Sequence, residues 1–396
     1  MARGSVRKHD GGWGYRIDLG PDPATGKRRQ ASRQGFATKR EAETALRDVT
    51  SSMRDGVVPT RSVRTLGDFL DEWMELQRDR LRPTTWHSYG HAVTRIKSGL
   101  GRSKLQALAP LQLEHFYAEL LASGGRFGKP LSPKTVRNTH TVLRKALADA
   151  ERLGLVGRNP AAAAKPPADV RVEQSTWSSD ELRNFLDSIQ TDRLHAAFVL
   201  LATTGMRRGE VLGLRWSDLD FDGGELAVSN TLTTVGTGLV TGPPKTSRSR
   251  RQIFLDEGTL AVLREHRRRQ NEERLSVGPA WNGSVDYVFT DELGAPVHPD
   301  AFSRSFRHHV AAADLPAIRL HDLRHSYATL ALKAGVHPKV LSERLGHATI
   351  GVTLDLYSHV TPSIARDAAD VVASRILSDG DDWHHGRGVW VWQLRG

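Results

Sequence analysis

Apolar Trp13, Tyr15 and Ile17 alternate with Gly14, Arg16 and Asp18, the two-residue period of a strand. Pro21 to Gly26 reads as a turn and Lys27 to Arg33 as a returning strand, so the chain opens on a small sheet of two or three strands. Thr38 and Glu41 make a capping box that opens a helix running to about Arg54. After a short linker the period lengthens. Thr65 caps a helix with Leu66, Phe69, Leu70, Trp73 and Leu76 on one stripe. Thr84–Ser98, Pro110–Ser123 and Ser132–Leu153 continue as helices, separated by breaks at Gly99–Gly101 and Ser123–Lys129. Trp73, Trp86, Phe116 and Tyr117 are most simply core. A Pro- and Ala-rich stretch at 158–176 is a tether long enough for two domains to close around a rod-like partner.

A third domain opens near Trp177. One helix starts at Ser179 and another covers Leu194 to Thr204, and Gly205 marks a turn. Asp222-Gly223-Gly224 begins a hairpin, with strands at Glu225–Leu232 and Arg251–Leu255 and a loop from Thr241 to Arg248 presenting Lys245. Val285–Thr290 reads as a strand and Pro299–Ala313 as a helix. LHDLRHSYATLALKAG reads as a helix ended by Gly335; Pro338 opens the next in the favoured first position, and Gly346 ends it. His347 then sits just past a helix terminus, and Tyr357 follows on a third short element. Pro362–Ile376 is a further helix, followed by a polar tail carrying Trp383, Trp390 and Trp392, for which there is no account. The fold class is multidomain α+β: a small sheet-plus-helix module (1–56), a linker (57–64), an all-α domain (65–157), a second linker (158–176), a mostly α domain with a small antiparallel sheet (177–377) and a tail (378–396).

Composition narrows the function. The chain has 396 residues, enough for two or three cores, and 38% hydrophobic residues. No apolar run approaches a membrane span, and the charged N-terminus lacks the apolar stretch of a secretory signal. There is no cysteine, which removes disulfides, thiol nucleophiles and Cys-based zinc sites and fits a cytoplasmic protein. Lys plus Arg number 56 against 45 acids, a net +11, so a polyanion is the first partner to consider and nucleic acid the commonest. Residues 1–56 hold twelve Lys/Arg against seven Asp/Glu, nearly half of that excess. Arg28, Arg29 and Arg33 on the sheet can track a DNA groove; a merely solvated sheet face is the plainer alternative. In the helical domain Arg95, Lys97, Arg102, Lys104, Lys134, Arg137, Arg144 and Lys145 can face phosphates, though each alone reads as a surface charge.

The chemistry gathers in the last third. His321 and Arg324 are three apart and share a helix face. Short helices with tight turns can bring them to one cleft with His347 and Tyr357. Only about one tyrosine phenol in a thousand is ionised at neutral pH, and surrounding cations raise that fraction. Attack on a phosphodiester puts charge on its non-bridging oxygens. Guanidinium forks meet that charge without a metal ion. Imidazoles add hydrogen bonds or proton transfer, and a lysine can protonate the leaving alkoxide. Arg207, at a turn-to-helix junction, supplies a second guanidinium.

TGMRRGE, PKTSRSRR, HDLRHSYAT, LGHATI and LDLYSHV together resemble the tyrosine recombinase (phage integrase) family. The resemblance covers 175–377 as the catalytic domain, 65–155 as a core-site-binding (SAM-like) helical domain, and the N-terminal module as an arm-site DNA-binding domain. It implies that Tyr357 attacks the scissile phosphate to form a 3′-phosphotyrosyl link. Arg207 and Arg324 would clamp the phosphate, Lys245 would protonate the 5′-oxygen, and His321 and His347 would assist. Glu210 matches a supporting acid. It further implies no cofactor and no metal, double-stranded DNA attachment sites as partner, and a homotetramer at synapsis. The helix around Asp367–Ile376 would dock on a neighbour. A directionality factor or host DNA-bending protein would be an accessory, and the site of action the cytoplasm, on the nucleoid. The product would be integration or excision of a mobile element.

Alternatives remain at single positions. Arg208 adjoins Arg207, and Arg248, Arg250 and Arg251 accompany Lys245; motif register favours Arg207 and Lys245. His325, His308, His309 and His337 read as structural, and Tyr327 and Tyr287 are alternative nucleophiles only if the motif reading is wrong. His321-Asp322 and His325 mimic a zinc-protease helix, but the carboxylate is one methylene short and an arginine lies between the histidines. A type IB topoisomerase shares the chemistry yet has little use for two accessory DNA-binding domains. A repressor with a dead site would not keep all six positions filled.

Overall fold

The computed structural model describes residues 4–21, 28–54, 63–168, 175–244, 249–347, 349–351, 353–354, 373 and 376. The chain divides into two units, Met1–Val172 and Glu173–Gly396. The turn expected at 22–26, most of the helix at 362–376 and the tail lie outside the described residues.

In the first unit β1 (Gly4–His9), β2 (Gly12–Pro21) and β3 (Arg28–Phe36) form an antiparallel sheet in that order. Tyr15 and Ile17 point inward and are buried with Ala42 of α1 (Lys39–Arg54), which packs on β1 and β2. Alternation thus put one face of β2 against a helix and left Arg16 exposed. Thr38 accepts from the Glu41 amide at 3.2 Å and its own amide reaches the Glu41 carboxylate at 3.3 Å, a reciprocal cap.

The helices α2 (Leu66–Gln77), α3 (Pro83–Leu100), α4 (Pro110–Ser123) and α5 (Pro133–Arg152) share one core built on Leu66, Phe69, Leu70, Trp73, Ile96, Phe116 and Leu143. One stripe residue differs from expectation. Leu76 is 60% exposed and Gln77 is buried in its place, because the seam advances by 3.6 residues per turn through 66, 69–70, 73–74 and 77. Three of the candidate phosphate-facing cations have protein partners: Lys97 pairs with Asp71 at 2.7 Å, Arg137 donates to the Pro167 carbonyl at 2.8 Å, and Lys145 donates to the Tyr89 hydroxyl at 3.5 Å.

The second unit is mostly helical: α6 (Ser179–Ser188), α7 (His195–Thr204), α8 (Arg208–Leu212), α9 (Glu257–Val277), α10 (Pro299–Ala312), α11 (Asp322–Lys333) and α12 (Pro338–Leu345). Its core is aromatic. Trp177, Phe185, Phe198, Phe302 and Phe306 pack together, with Phe198 stacked on Phe302 at 4.6 Å, and fix α7 from below. The strand expected at Glu225–Leu232 is split. Its first half, β5 (Glu225–Ala227), pairs with β4 (Leu219–Asp220) and β8 (Gln252–Phe254), and its second half starts a separate hairpin, β6 (Thr231–Val235) with β7 (Gly238–Gly242). The segment 285–290 makes only isolated bridges, Arg215 to Tyr287 and Thr290 to Pro296, although Val288 and Phe289 are fully buried. Apolar burial without a paired ladder mimics a strand. Among the described residues no helix is long and apolar enough to cross a membrane.

Candidate active site

α7 ends at Gly205 in the left-handed region, φ 63°. A Cβ there would stand 2.6 Å from side-chain carbons of Leu345 and Tyr327, so the turn needs glycine on both counts. The chain then leaves extended at Arg207 (φ −76°, ψ 147°) before entering α8. Glu210 turns back, and its carboxylate accepts the Arg207 amide at 3.0 Å and the Arg207 Nη1 at 2.7 Å. The other guanidinium nitrogen, Nη2, donates to the Gly346 carbonyl at 3.0 Å. Arg324 rises from α11 and is 4% exposed. It donates to the Gly205 carbonyl at 2.7 Å and the Leu345 carbonyl at 2.8 Å. Two arginines far apart in sequence therefore meet on the last carbonyls of α12, groups that a helix leaves without internal partners and that carry its negative end.

α12 itself ends in a left-handed glycine, Gly346, at φ 67°. The next amide, His347, returns to the Ser342 carbonyl at 3.0 Å, and the His347 Nδ1 lies 2.8 Å from the Thr353 hydroxyl. His321 precedes α11 rather than lying within it, and its ring meets His325 edge-on at 5.1 Å between centroids. Asp322, buried at the helix start, holds Arg319 through two bonds of 2.8 and 3.0 Å. Burial, then the neighbouring positive charges, lowers the pKa of Arg324, His321 and His347. Arg324 is pushed down to about 9 by burial and by Arg207. His347 is pushed down to about 4 by burial, then by Arg324 and Arg207. His321 is pushed down to about 4 by burial, His325 and Arg324; water reaches its exposed side and tempers the effect. Both imidazoles are neutral at pH 7 and can accept a proton or a hydrogen bond. The arginine partners answer each other, so Arg207, Arg324, His321 and His347 occupy one positive neighbourhood.

The depressed histidines predict an acid-labile site. An unfolded imidazole binds its proton near pH 6.5, but His347 in the folded chain does so only near 4. Between those values the unfolded chain binds more protons, so stability is complete above about 6.5 and falls as pH drops toward 4. For the half-buried His347 the loss is about 1–2 kcal/mol after discounting for solvent. Urea midpoints from pH 7.5 to 4.5 should show a shallower slope in a His347→Asn protein. An identical slope would mean that the imidazole titrates normally.

Of the other candidates, Lys245 and Tyr357 lie outside the described residues. Arg208 points away from the cleft to α10, donating to the Pro299 carbonyl at 2.9 Å and the Ser303 hydroxyl at 2.8 Å. His309 pairs with Asp192 at 3.0 Å, and the His337 ring accepts an amide at the start of α12. Arg251 is the residue that sequence reasoning left among the loop's spare cations. It is buried and donates to both Glu210 oxygens, at 2.9 and 3.3 Å, and to the Arg344 carbonyl at 2.5 Å. Only its place beside an apolar strand residue, Ile253, hinted at burial. Among the described residues no group of three or more potential ligands gathers for a metal ion, and the zinc-like pair His321 and His325 gains no third. Two cavities of about 140 and 210 Å³, beside Trp281 and beside Arg193, are lined by none of the candidate residues.

Known proteins match this chain along most of its length. The phage integrase family profile matches residues 176–363, an arm DNA-binding domain profile residues 5–53, and a phage integrase N-terminal SAM-like domain profile residues 65–121. A XerC-like tyrosine recombinase of Caldanaerobacter subterraneus subsp. tengcongensis is 31% identical over 355 residues, 85% of this chain and 89% of that protein. The ICEBs1 integrase of Bacillus subtilis is 28% identical, with 92% and 98% covered. Among solved structures, the Tn1549 transposon integrase in complex with circular intermediate DNA shares the fold at TM-score 0.66 and 23% identity, covering 78% of this chain and all of that one. A lambda integrase tetramer bound to a Holliday junction does so at TM-score 0.55 and 19% identity, covering 89% and 94%. With a relative above 30% identity covered almost end to end, and profiles of the family's successive domains matched in order, the chain belongs to the tyrosine recombinase (phage integrase) family.

Proposed function

We propose that this chain cleaves and rejoins double-stranded DNA at attachment sites through a 3′-phosphotyrosyl intermediate, and so integrates or excises a mobile element. One observation supports this most. Arg207 and Arg324 share the end of α12, beside His347, with donors left over for a phosphate. Each guanidinium has five N–H donors. Arg324 uses one on each of two carbonyls, and no described residue takes the other three.

In this reading the Tyr357 oxygen gives its phenolic proton to the neutral His321 imidazole and forms a bond to the scissile phosphorus while the bond to the 5′-oxygen breaks. Lys245 delivers a proton to that leaving oxygen. The charge that builds on the non-bridging oxygens falls to Arg207 and Arg324, preorganised by carbonyls and by Glu210. His347 and His321, neutral in the empty site, donate or accept a hydrogen bond at the phosphate. The covalent link keeps the phosphodiester energy, so a 5′-hydroxyl from a second duplex reverses the step without ATP or metal. The other parts have matching roles. Residues 1–56 would hold arm-type DNA, 65–157 would hold core-site DNA, and 177–377 would do chemistry. Exchange between two duplexes calls for four protomers, with a directionality factor or a DNA-bending protein selecting the direction, on the nucleoid.

A suicide substrate nicked near the crossover tests this. The wild-type protein should trap a covalent adduct that resists denaturation and forms equally in EDTA. DNA binding with no adduct would sink the catalytic reading in favour of a binding protein.

A further inference from the structure

Two arginines share one buried carboxylate. Glu210 is 2% exposed, and Arg251 is 7% exposed. The two make a forked pair: Nη2 to Oε2 at 2.9 Å and Nη1 to Oε1 at 3.3 Å. Arg207 reaches only one oxygen of that carboxylate with its side chain, at 2.7 Å, and its other terminal nitrogen stays on the Gly346 carbonyl. At α12 the pattern repeats. Three successive carbonyls, of Arg344, Leu345 and Gly346, each receive a different arginine: Arg251, Arg324 and Arg207. Arg251 is therefore bonded to the same acid as Arg207 and to the same helix end as Arg207 and Arg324, yet its side chain is too buried to touch DNA.

Forked pairing is the preferred geometry of a guanidinium and a carboxylate. Were Arg251 absent, Arg207 would be the one charged partner left to Glu210 among the described residues. Arg207 would gain by closing on both oxygens and leaving Gly346. We propose that Arg251 is a positioning residue for DNA cleavage: by occupying Glu210 with a fork, it confines Arg207 to a single oxygen and keeps that guanidinium at the end of α12, facing the phosphate. The same residue ties β8, α8 and α12 together, so it also sets the spacing between Arg207 and Arg324. This rests on the cleavage reading given above.

Single-turnover cleavage of the nicked substrate tests it, with DNA affinity and thermal unfolding measured on the same proteins. Arg251→Met should bind core-site DNA within about threefold of wild type but cleave about 100-fold more slowly. Arg251→Lys should fall between, because it restores charge but not the fork. The double variant Arg251→Met with Glu210→Gln should regain at least tenfold over Arg251→Met, because a neutral amide no longer captures Arg207. A purely structural Arg251 would lower cleavage only by the unfolded fraction, and the second change would bring no recovery; either result overturns the proposal. If Arg251→Met does not fold, Arg251→Lys cleaving at the wild-type rate overturns it equally. Failure of the wild-type protein to form any adduct removes the cleavage reading and this proposal with it, whereas a wild-type adduct with an unaffected Arg251→Met removes this proposal alone.

Discussion

The Tyr357→Phe protein should bind its DNA sites as tightly as wild type and form no covalent adduct, a loss of roughly 10⁴-fold or more in strand cleavage. The change removes one oxygen atom and leaves the ring, so packing and DNA contacts survive. What disappears is the oxygen that, on the function proposed above, bonds to phosphorus, and no water substitutes for it in a reaction that keeps the strand covalently attached. The competing tyrosines are occupied in the fold. Tyr287 is buried, and its hydroxyl lies 2.7 Å from the Thr241 hydroxyl. Tyr327 packs in the small cluster under α12, with Arg344 over its ring at 5.9 Å. Adduct formation by Tyr357→Phe at the wild-type rate would transfer the nucleophile to one of them and undo the mechanism. Gel mobility of the substrate with and without protease separates the outcomes.

Arg324→Lys should bind DNA nearly normally yet cleave about 10²–10³-fold more slowly. Lysine keeps the charge, but it cannot hold two carbonyls and still present a fork to the phosphate. Arg324→Ala should fall as far in cleavage and also lose stability. It leaves the buried carbonyls of Gly205 and Leu345 without the donors they have now, at roughly 1–3 kcal/mol for each group left unsatisfied. The two substitutions thus separate charge from geometry. Urea unfolding reads the structural part and single-turnover cleavage the chemical part. Wild-type cleavage by Arg324→Lys would mean that a point charge suffices and that the carbonyl scaffold has no catalytic value.

Much of the fold was legible along the chain. In the first unit the N-terminal strands, the capped helix after them and the four helices that follow announce themselves through period, caps and glycine breaks, all local signals. Local signals also misled. Glu225–Leu232 reads as one strand, yet its halves belong to different sheets, because pairing is decided by distant partners: Gln252–Phe254 for one half and Gly238–Gly242 for the other. The 21-residue α9 escaped notice altogether. Its sequence is dominated by Arg and Glu, and its buried line of Leu260, Leu263, His266 and Gln270 is half polar. His266 and Gln270 are tolerated there because each finds the Val288 carbonyl, at 2.8 and 3.1 Å. That partner is invisible from the helix itself.

By itself, the order of residues determined which chemistry this protein can carry. A tyrosine, two arginines, two histidines and a lysine stand in short motifs whose turns are set by Gly205, Gly335 and Gly346, and turn geometry is a local property of the backbone. Only the tertiary structure decided which cations meet at the end of α12 and which turn elsewhere. Arg207 and Arg208 are neighbours in sequence, yet one joins α12 and the other α10, and Arg251 turned from a loop charge into the buried partner of Glu210. The reason is physical: a guanidinium has no preference of its own among acceptors, and its direction is settled by whichever carboxylates and helix-end carbonyls the packed core brings within reach.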